Sequence, residues 1–179
     1  MIAVFLANGF EEIEALATVD ILRRAGLAVC TVGVDADIPI GAHNMPIRTD
    51  ISQEKLDLTA LSAIVLPGGM PGTRNLDASP VVHAAIDHAV CHKLPIGAIC
   101  AAPSILGRRG LLQGKQAVCY PGFETALIGA DISEKAVITD GQFTTARGAG
   151  VAIDFALELV RILTDEQTAL TVRGSIQCR

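Results

Sequence analysis

The feature that most constrains this chain is a rhythm. Short apolar runs alternate with longer amphipathic stretches, and Gly, Pro or Asn marks most of the handovers. "IAVFLA" (2–7) ends in Asn8-Gly9 and reads as a buried first strand. "EEIEALATVDILRRAG" (11–26) follows with acids at its start, Arg23-Arg24 at its end and Gly26 as a stop, charges that complement a helix dipole. "LAVCTVGV" (27–34) then completes a strand–helix–strand unit, and residues 35–50 read as a small hairpin or an irregular excursion. "SAIVLPGG" (62–69) is a further central strand, and "SPVVHAAIDHAVCHK" (79–93) a helix with Ser79 as N-cap and Pro80 in its first turn. "LPIGAIC" and "AAPSILGRRG" repeat the pattern. "QAVCYPG", "KAVITDGQFTTAR" and "GVAIDFALELVRIL" (150–163) supply later strands and a long final helix, with a hairpin turn at Asp140-Gly141.

Strands alternating with helices require a mostly parallel sheet covered on both faces. The expected fold is therefore α/β and doubly wound, with residues 1–179 as a single domain. Half of the residues are hydrophobic and 18% charged, which suits buried strands and excludes disorder. A net charge of −5 without a basic stripe argues against a nucleic-acid partner, and one Tyr with no Trp leaves no stacking platform. No apolar stretch reaches the ~18 to 20 residues of a membrane span, and no signal peptide is visible, so a cytoplasmic protein is expected. Cys30, Cys91, Cys100, Cys119 and Cys178 form no CxxC pair and no disulfide framework. His43, His83, His88 and His92 do not combine with them in a zinc spacing, and no metal or cofactor is expected. His88 and His92 read as a solvated helix face.

In doubly wound folds ligands bind beyond the carboxyl ends of strands. Three junctions there carry usable chemistry: "ANGFEEIEA", "LPGGMPG" and "AICAAP". Cys100 sits where a strand hands over to a helix, among Gly97, Ala98, Ala101 and Ala102, whose small size lets a sharp turn present the sulfur. A helix starting at Ala101 or Ala102 would favour thiolate, whereas the plain alternative is a buried core cysteine. Glu14, flanked by Ile13 and Ala15-Leu16, reads as more buried than Glu11 and Glu12, which decorate the helix start. A carboxyl buried beside a thiol would hold its proton to a higher pH. Gly68-Gly69 is a simple turn or a source of free N–H groups for an anion.

Taken together, "GFEEIEA", "RRAG", "AIVLPGGMPGTRNL", "IGAICAAPSIL" and "TARGAGVAIDFALELV" resemble the DJ-1/ThiJ/PfpI superfamily, in register over essentially the whole chain. The resemblance implies a flavodoxin-like fold, Cys100 as a nucleophile-elbow cysteine and Glu14 as its protonated partner. It implies backbone N–H groups of Gly69 (with Gly68) and Ala101 as an oxyanion pocket, and a homodimer whose interface lies near Arg24, Arg147 and Gly148. It also implies a cofactor-independent deglycase or glutathione-independent glyoxalase acting on methylglyoxal or its adducts. The alternative it carries is an oxidative-stress sensor or chaperone-like protein using the same thiol without turnover. Two departures stand out. Ala101 replaces the His that follows the cysteine in the protease-like branch, so a protease is not supported. Tyr120-Pro121 replaces a His-Pro pair of animal members, making Tyr120 and Pro121 candidates for lining the site beside Arg147 of the matching "ARGAG" segment. On a strand, Cys119 would point away from Tyr120.

Overall fold

The structure is a computed structural model and describes residues 1–178. Its elements are β1 (Ile2–Ala7), α1 (Glu12–Arg24), β2 (Val29–Val34), β3 (Ile51–Ser52), β4 (Ala63–Leu66), α2 (Gly72–Ala78), α3 (Pro80–Cys91), β5 (Ile96–Ile99), α4 (Pro103–Arg108), β6 (Gln116–Ala117), β7 (Asp131–Ile132), β8 (Val137–Asp140), β9 (Phe143–Ala146), α5 (Ala152–Leu163) and α6 (Glu166–Ser175). Seven strands form one sheet in the order β3-β2-β1-β4-β5-β9-β8, and β6 and β7 pair separately. Every pairing in the large sheet is parallel except β8 with β9, which the Asp140-Gly141 turn joins as an antiparallel hairpin. This is the flavodoxin-like, mostly parallel α/β fold that the alternation of elements requires.

A parallel sheet must be covered on both sides, and two apolar clusters do so here. One gathers Phe5, Ile64, Leu66, Leu76, Val82, Ile86 and Leu106 under α2, α3 and α4. The other gathers Val4, Leu6, Phe10, Leu22, Val65, Phe155 and Leu159 under α1 and α5. β1, β4 and β5 are buried along their whole lengths, which is why their sequences are continuously apolar rather than alternating. Gly97 in β5 leaves room for α5 to settle: a Cβ there would stand 2.9 Å from Phe155 Cζ.

The helix ends follow their signals. Glu11 caps α1 by accepting the Glu14 N–H, and Ser79 caps α3. Residues 35–50 take the irregular course of the two expected, with an isolated bridge between Ile40 and Pro46. Two expectations change. "QAVCYPG" contributes two residues to the small sheet, not a strand of the main one. α4 begins at Pro103, after a turn that includes Ala101 and Ala102. Two helices emerge beyond those expected: α2, just after Gly68-Gly69, and α6, capped by Asp165 accepting the Thr168 N–H. Among the described residues no helix is long and apolar enough to cross a membrane.

Phe155 is fully buried and fills the space that Gly97 leaves. Replacing it by Ala is expected to destabilise the fold by about 3–5 kcal/mol, read from the urea midpoint at unchanged m.

Candidate active site

The strand order makes β1, β4 and β5 neighbours. The three junctions at their carboxyl ends, far apart in sequence, therefore meet at one place. Cys100 follows β5 with φ at +64°, a left-handed conformation uncommon for a residue with a side chain. Such backbone strain costs of order 1–3 kcal/mol and persists only where its surroundings enforce it. Here two backbone hydrogen bonds do so: the Cys100 N–H donates to the Ala146 carbonyl at 2.9 Å, and the Cys100 carbonyl accepts the Tyr120 N–H at 2.7 Å. The expected elbow is present, with its sulfur half-buried at the turn.

Glu14 comes from the first turn of α1 and is fully buried. Its Oε2 accepts the Gly68 N–H at 2.8 Å. Oε1 is buried without a conventional hydrogen-bond partner, and the carboxyl interacts instead with the Cys100 thiol. Burial pushes the Glu14 carboxyl up to about 7, against the pull of the thiol and the Gly68 N–H, with the charge of Glu11 adding to the rise. Gly68 must be glycine: a Cβ there would lie 2.6 Å from both Cys100 Cβ and Glu14 Oε2. Gly69, at φ +90°, is equally confined, because a Cβ would overlap the Glu11 backbone nitrogen.

The thiol departs from expectation. Burial, the charge of Glu14 and its hydrogen bond push Cys100 up to about 12, while the Ala101 and Gly69 N–H groups pull the other way. α4 is too short and starts too late to make this a dipole-activated thiolate. Carboxyl and thiol thus behave as a pair. The first proton leaves near neutral pH, and with Glu14 anionic the thiol keeps its own to a much higher pH.

The other candidates separate. Tyr120 is half-exposed and leans over Gly148, where a Cβ would stand 3.2 Å from its ring and 3.9 Å from Cys100 Sγ. Pro121 beside it is exposed. Arg147 does not aim its charge at the sulfur: its guanidinium donates to the Glu134 carbonyl at 2.6 Å, and Gly148 is the residue beside Sγ. Arg24 pairs with Asp20 at 2.6 Å on the exposed side of α1. Cys119 lies buried in the cluster under α3 and α4, whereas Cys100 packs on the opposite cluster, so the two cysteines do not face each other. His88 and His92 stack on each other.

One cluster escaped the sequence. Glu12 is no surface decoration; it is 4% exposed, and both its oxygens bond to His43, to the backbone N–H and to Nδ1, each at 2.8 Å. Glu11, Glu12 and His43 converge within 4.8 Å, with Glu12 satisfied by His43 and one Glu11 oxygen spent on the helix cap. Residues 31 positions apart in an irregular loop leave no spacing by which to find them.

With this geometry established, comparison with known proteins is decisive. Residues 1–162 match the DJ-1/PfpI family. The chain belongs to that family. It is 34% identical over 178 residues to the Parkinson disease protein 7 homolog of Danio rerio, covering 97% of this chain and 94% of that one. The structure of oxidized Toxoplasma gondii DJ-1 superposes with a TM-score of 0.94 at 31% identity, covering 98% and 97% of the two chains. A protein of Pyrococcus abyssi named a deglycase is 26% identical, over 90% of this chain and 98% of its own. Within the DJ-1/PfpI family this chain carries Ala101 directly after the elbow cysteine and Tyr120 on the adjoining segment.

A carboxyl whose folded-state value is raised from 4.5 to about 7 binds its proton more tightly in the folded protein. The stability it confers is complete below about pH 4.5 and is lost as pH rises through about 7. Glu14→Gln is therefore expected to flatten the fall in stability between those pH values, as read from urea denaturation at pH 5 and pH 8. A difference between pH 5 and 8 equal to the wild type's would contradict the burial of an ionisable Glu14.

Proposed function

We propose that the protein is a cysteine-dependent, cofactor-independent deglycase or glyoxalase acting on methylglyoxal or its early adducts. The observation that carries this reading is the pairing of an elbow thiol with a buried carboxyl of pKa about 7. A group with that value changes protonation readily at neutral pH, as a base or acid for proton transfer must.

In the proposed reaction Glu14 takes the thiol proton as sulfur adds to the aldehyde carbon, forming a hemithioacetal. The Gly69 and Ala101 N–H groups, which already face the thiol, hold the new oxyanion. Glu14 returns the thiol proton to that oxyanion, which frees it as a base; it then moves a proton from the aldehyde carbon to the neighbouring carbonyl carbon while the hydroxyl proton passes to that carbonyl's oxygen, so the first carbon is oxidised and the second reduced. Water cleaves the resulting thioester, releasing lactate and the thiol. A high thiol pKa is no obstacle here, because the base sits against the nucleophile rather than in solvent. The deglycase name of the Pyrococcus abyssi relative supports this substrate class.

The same pocket supports a second reading, a redox sensor, on one observation. Two N–H groups and a protonatable carboxyl surround a half-buried sulfur and would bind a sulfinate as they would an oxyanion. A homodimer belongs to the proposal as well. Ile13 and Ile153, 57% and 41% exposed on the adjoining helices α1 and α5, offer an apolar face to a second copy.

Cys100→Ser and Glu14→Gln are each expected to lower methylglyoxal turnover by at least about 100-fold, measured as lactate formed. Full activity in either variant would sink the mechanism. For the sensor reading, mild peroxide followed by mass spectrometry is expected to add two oxygens at Cys100 before any other cysteine; equal oxidation at all five counts against it.

A further inference from the structure

The loop between β2 and β3 has little regular structure, yet residues 40–43 are pinned to the turn that opens α1. The Ile40 N–H donates to Asn8 Oδ1 at 2.8 Å. The Gly9 N–H donates to the Ile40 carbonyl at 2.7 Å, and the Ala42 N–H to the Phe10 carbonyl at 2.8 Å. His43 completes the row through its two bonds to Glu12. Gly41 passes so close that any side chain there would overlap the Glu12 carboxylate.

The contacts then run toward the thiol. His43 Nδ1 lies 2.8 Å from Glu12 Oε2 and 3.9 Å from Glu11 Oε1. Glu11 Oε2 in turn accepts the Glu14 N–H at 2.8 Å. Among the described residues, the ion pairs of Glu11 and Glu12 are with His43 alone, with no Lys or Arg. Glu11 therefore stands between His43 on one side and Glu14 on the other, and His43 is the ionisable cation paired with both Glu11 and Glu12.

We propose that His43 is a positioning residue for the Glu14–Cys100 pair: through Glu12 it holds the turn that carries Glu14, and as a cation it offsets the negative charge of Glu11 and Glu12. The inference rests on the reading of Cys100 and Glu14 as the reacting pair and supplies its regulation by pH. The charged and titratable groups facing each member are few. His43 meets Glu12 and Glu11; Glu14 meets Glu11 on its own helix, Cys100 from the β5–α4 turn and the Gly68 N–H after β4. The hydrogen bond and charge of Glu12 hold His43 above its ordinary value, so it stays charged further toward neutral pH. The charge of Glu11 contributes to the raised value of Glu14, and a cation 3.9 Å from Glu11 would oppose that push. The sign follows: with His43 charged, the Glu14–Cys100 pair releases its first proton at lower pH, and with a neutral residue there, at higher pH.

Alkylation of Cys100 by iodoacetamide, followed by mass spectrometry from pH 5 to 9, reads this directly and needs no substrate. Its rate rises as the pair loses its first proton, because the resulting monoanion includes the thiolate form. His43→Gln keeps a hydrogen-bond donor without charge, and is expected to move the midpoint up by about 0.3–0.7 pH unit. His43→Lys restores a cation and is expected to bring the midpoint back to the wild-type value or below. Added salt at 0.5 M should shrink the difference between the two variants. A merely structural His43 would change Tm and leave the midpoints alike. A His43→Gln profile that superimposes on the wild type overturns the proposal. So does a His43→Lys midpoint equal to that of His43→Gln, and that comparison stands even where both variants lose stability. Wild-type methylglyoxal turnover separates the two levels. With turnover intact and midpoints unmoved, only the role of His43 falls; without turnover and without selective Cys100 alkylation, the reading of the site falls.

Discussion

Burying a carboxyl group is costly unless its oxygens are met, and around Glu14 one oxygen accepts the Gly68 N–H while the carboxyl as a whole interacts with the Cys100 thiol. Much else follows from that arrangement. The turn after β4 must carry a residue without a side chain at position 68, because Gly68 lies against both Glu14 and Cys100. α1 must begin close beneath β4, and it does so with the Glu11 N–H donating to the Gly68 carbonyl at 2.9 Å. The next turn is held from the other side, where the Gly72 N–H donates to the Gly9 carbonyl at 3.1 Å.

The fold was legible because a parallel sheet buried on both faces writes itself as continuous apolar runs, and β1, β4 and β5 carry such runs. Glu14 and Cys100 were legible in part from local chemistry, a carboxyl between apolar neighbours and a cysteine among small residues at a strand end. Their conjunction came from the whole-chain resemblance, and its geometric cause is the adjacency of three strands that are distant in sequence. What stayed hidden depended on irregular backbone. His43 and Glu12 meet through a loop whose path follows no period, and Arg147 turns toward Glu134 by a contact that a strand-like segment does not announce.

The thiol gives the sharpest difference between sequence and structure. A cysteine before a helix suggests dipole activation, but α4 starts only at Pro103 and Cys100 is desolvated beside an acid. Desolvation dominates, and the two N–H groups offset only part of it. The two groups therefore hold their protons as a pair, the carboxyl losing its own near neutral pH and the thiol only far above it.

The elbow is fastened by backbone alone. The Ala146 carbonyl and the Tyr120 N–H grip the amide and carbonyl of Cys100, and neither bond involves a side chain. The turn at Cys100 therefore does not depend on the side chain at position 120, provided the residue there keeps its N–H, as every residue but Pro does. Tyr120 can be exchanged, and the surface over Gly148 reshaped, without unfastening that turn. Backbone and surface are separable here: one sets the turn, the other what covers it.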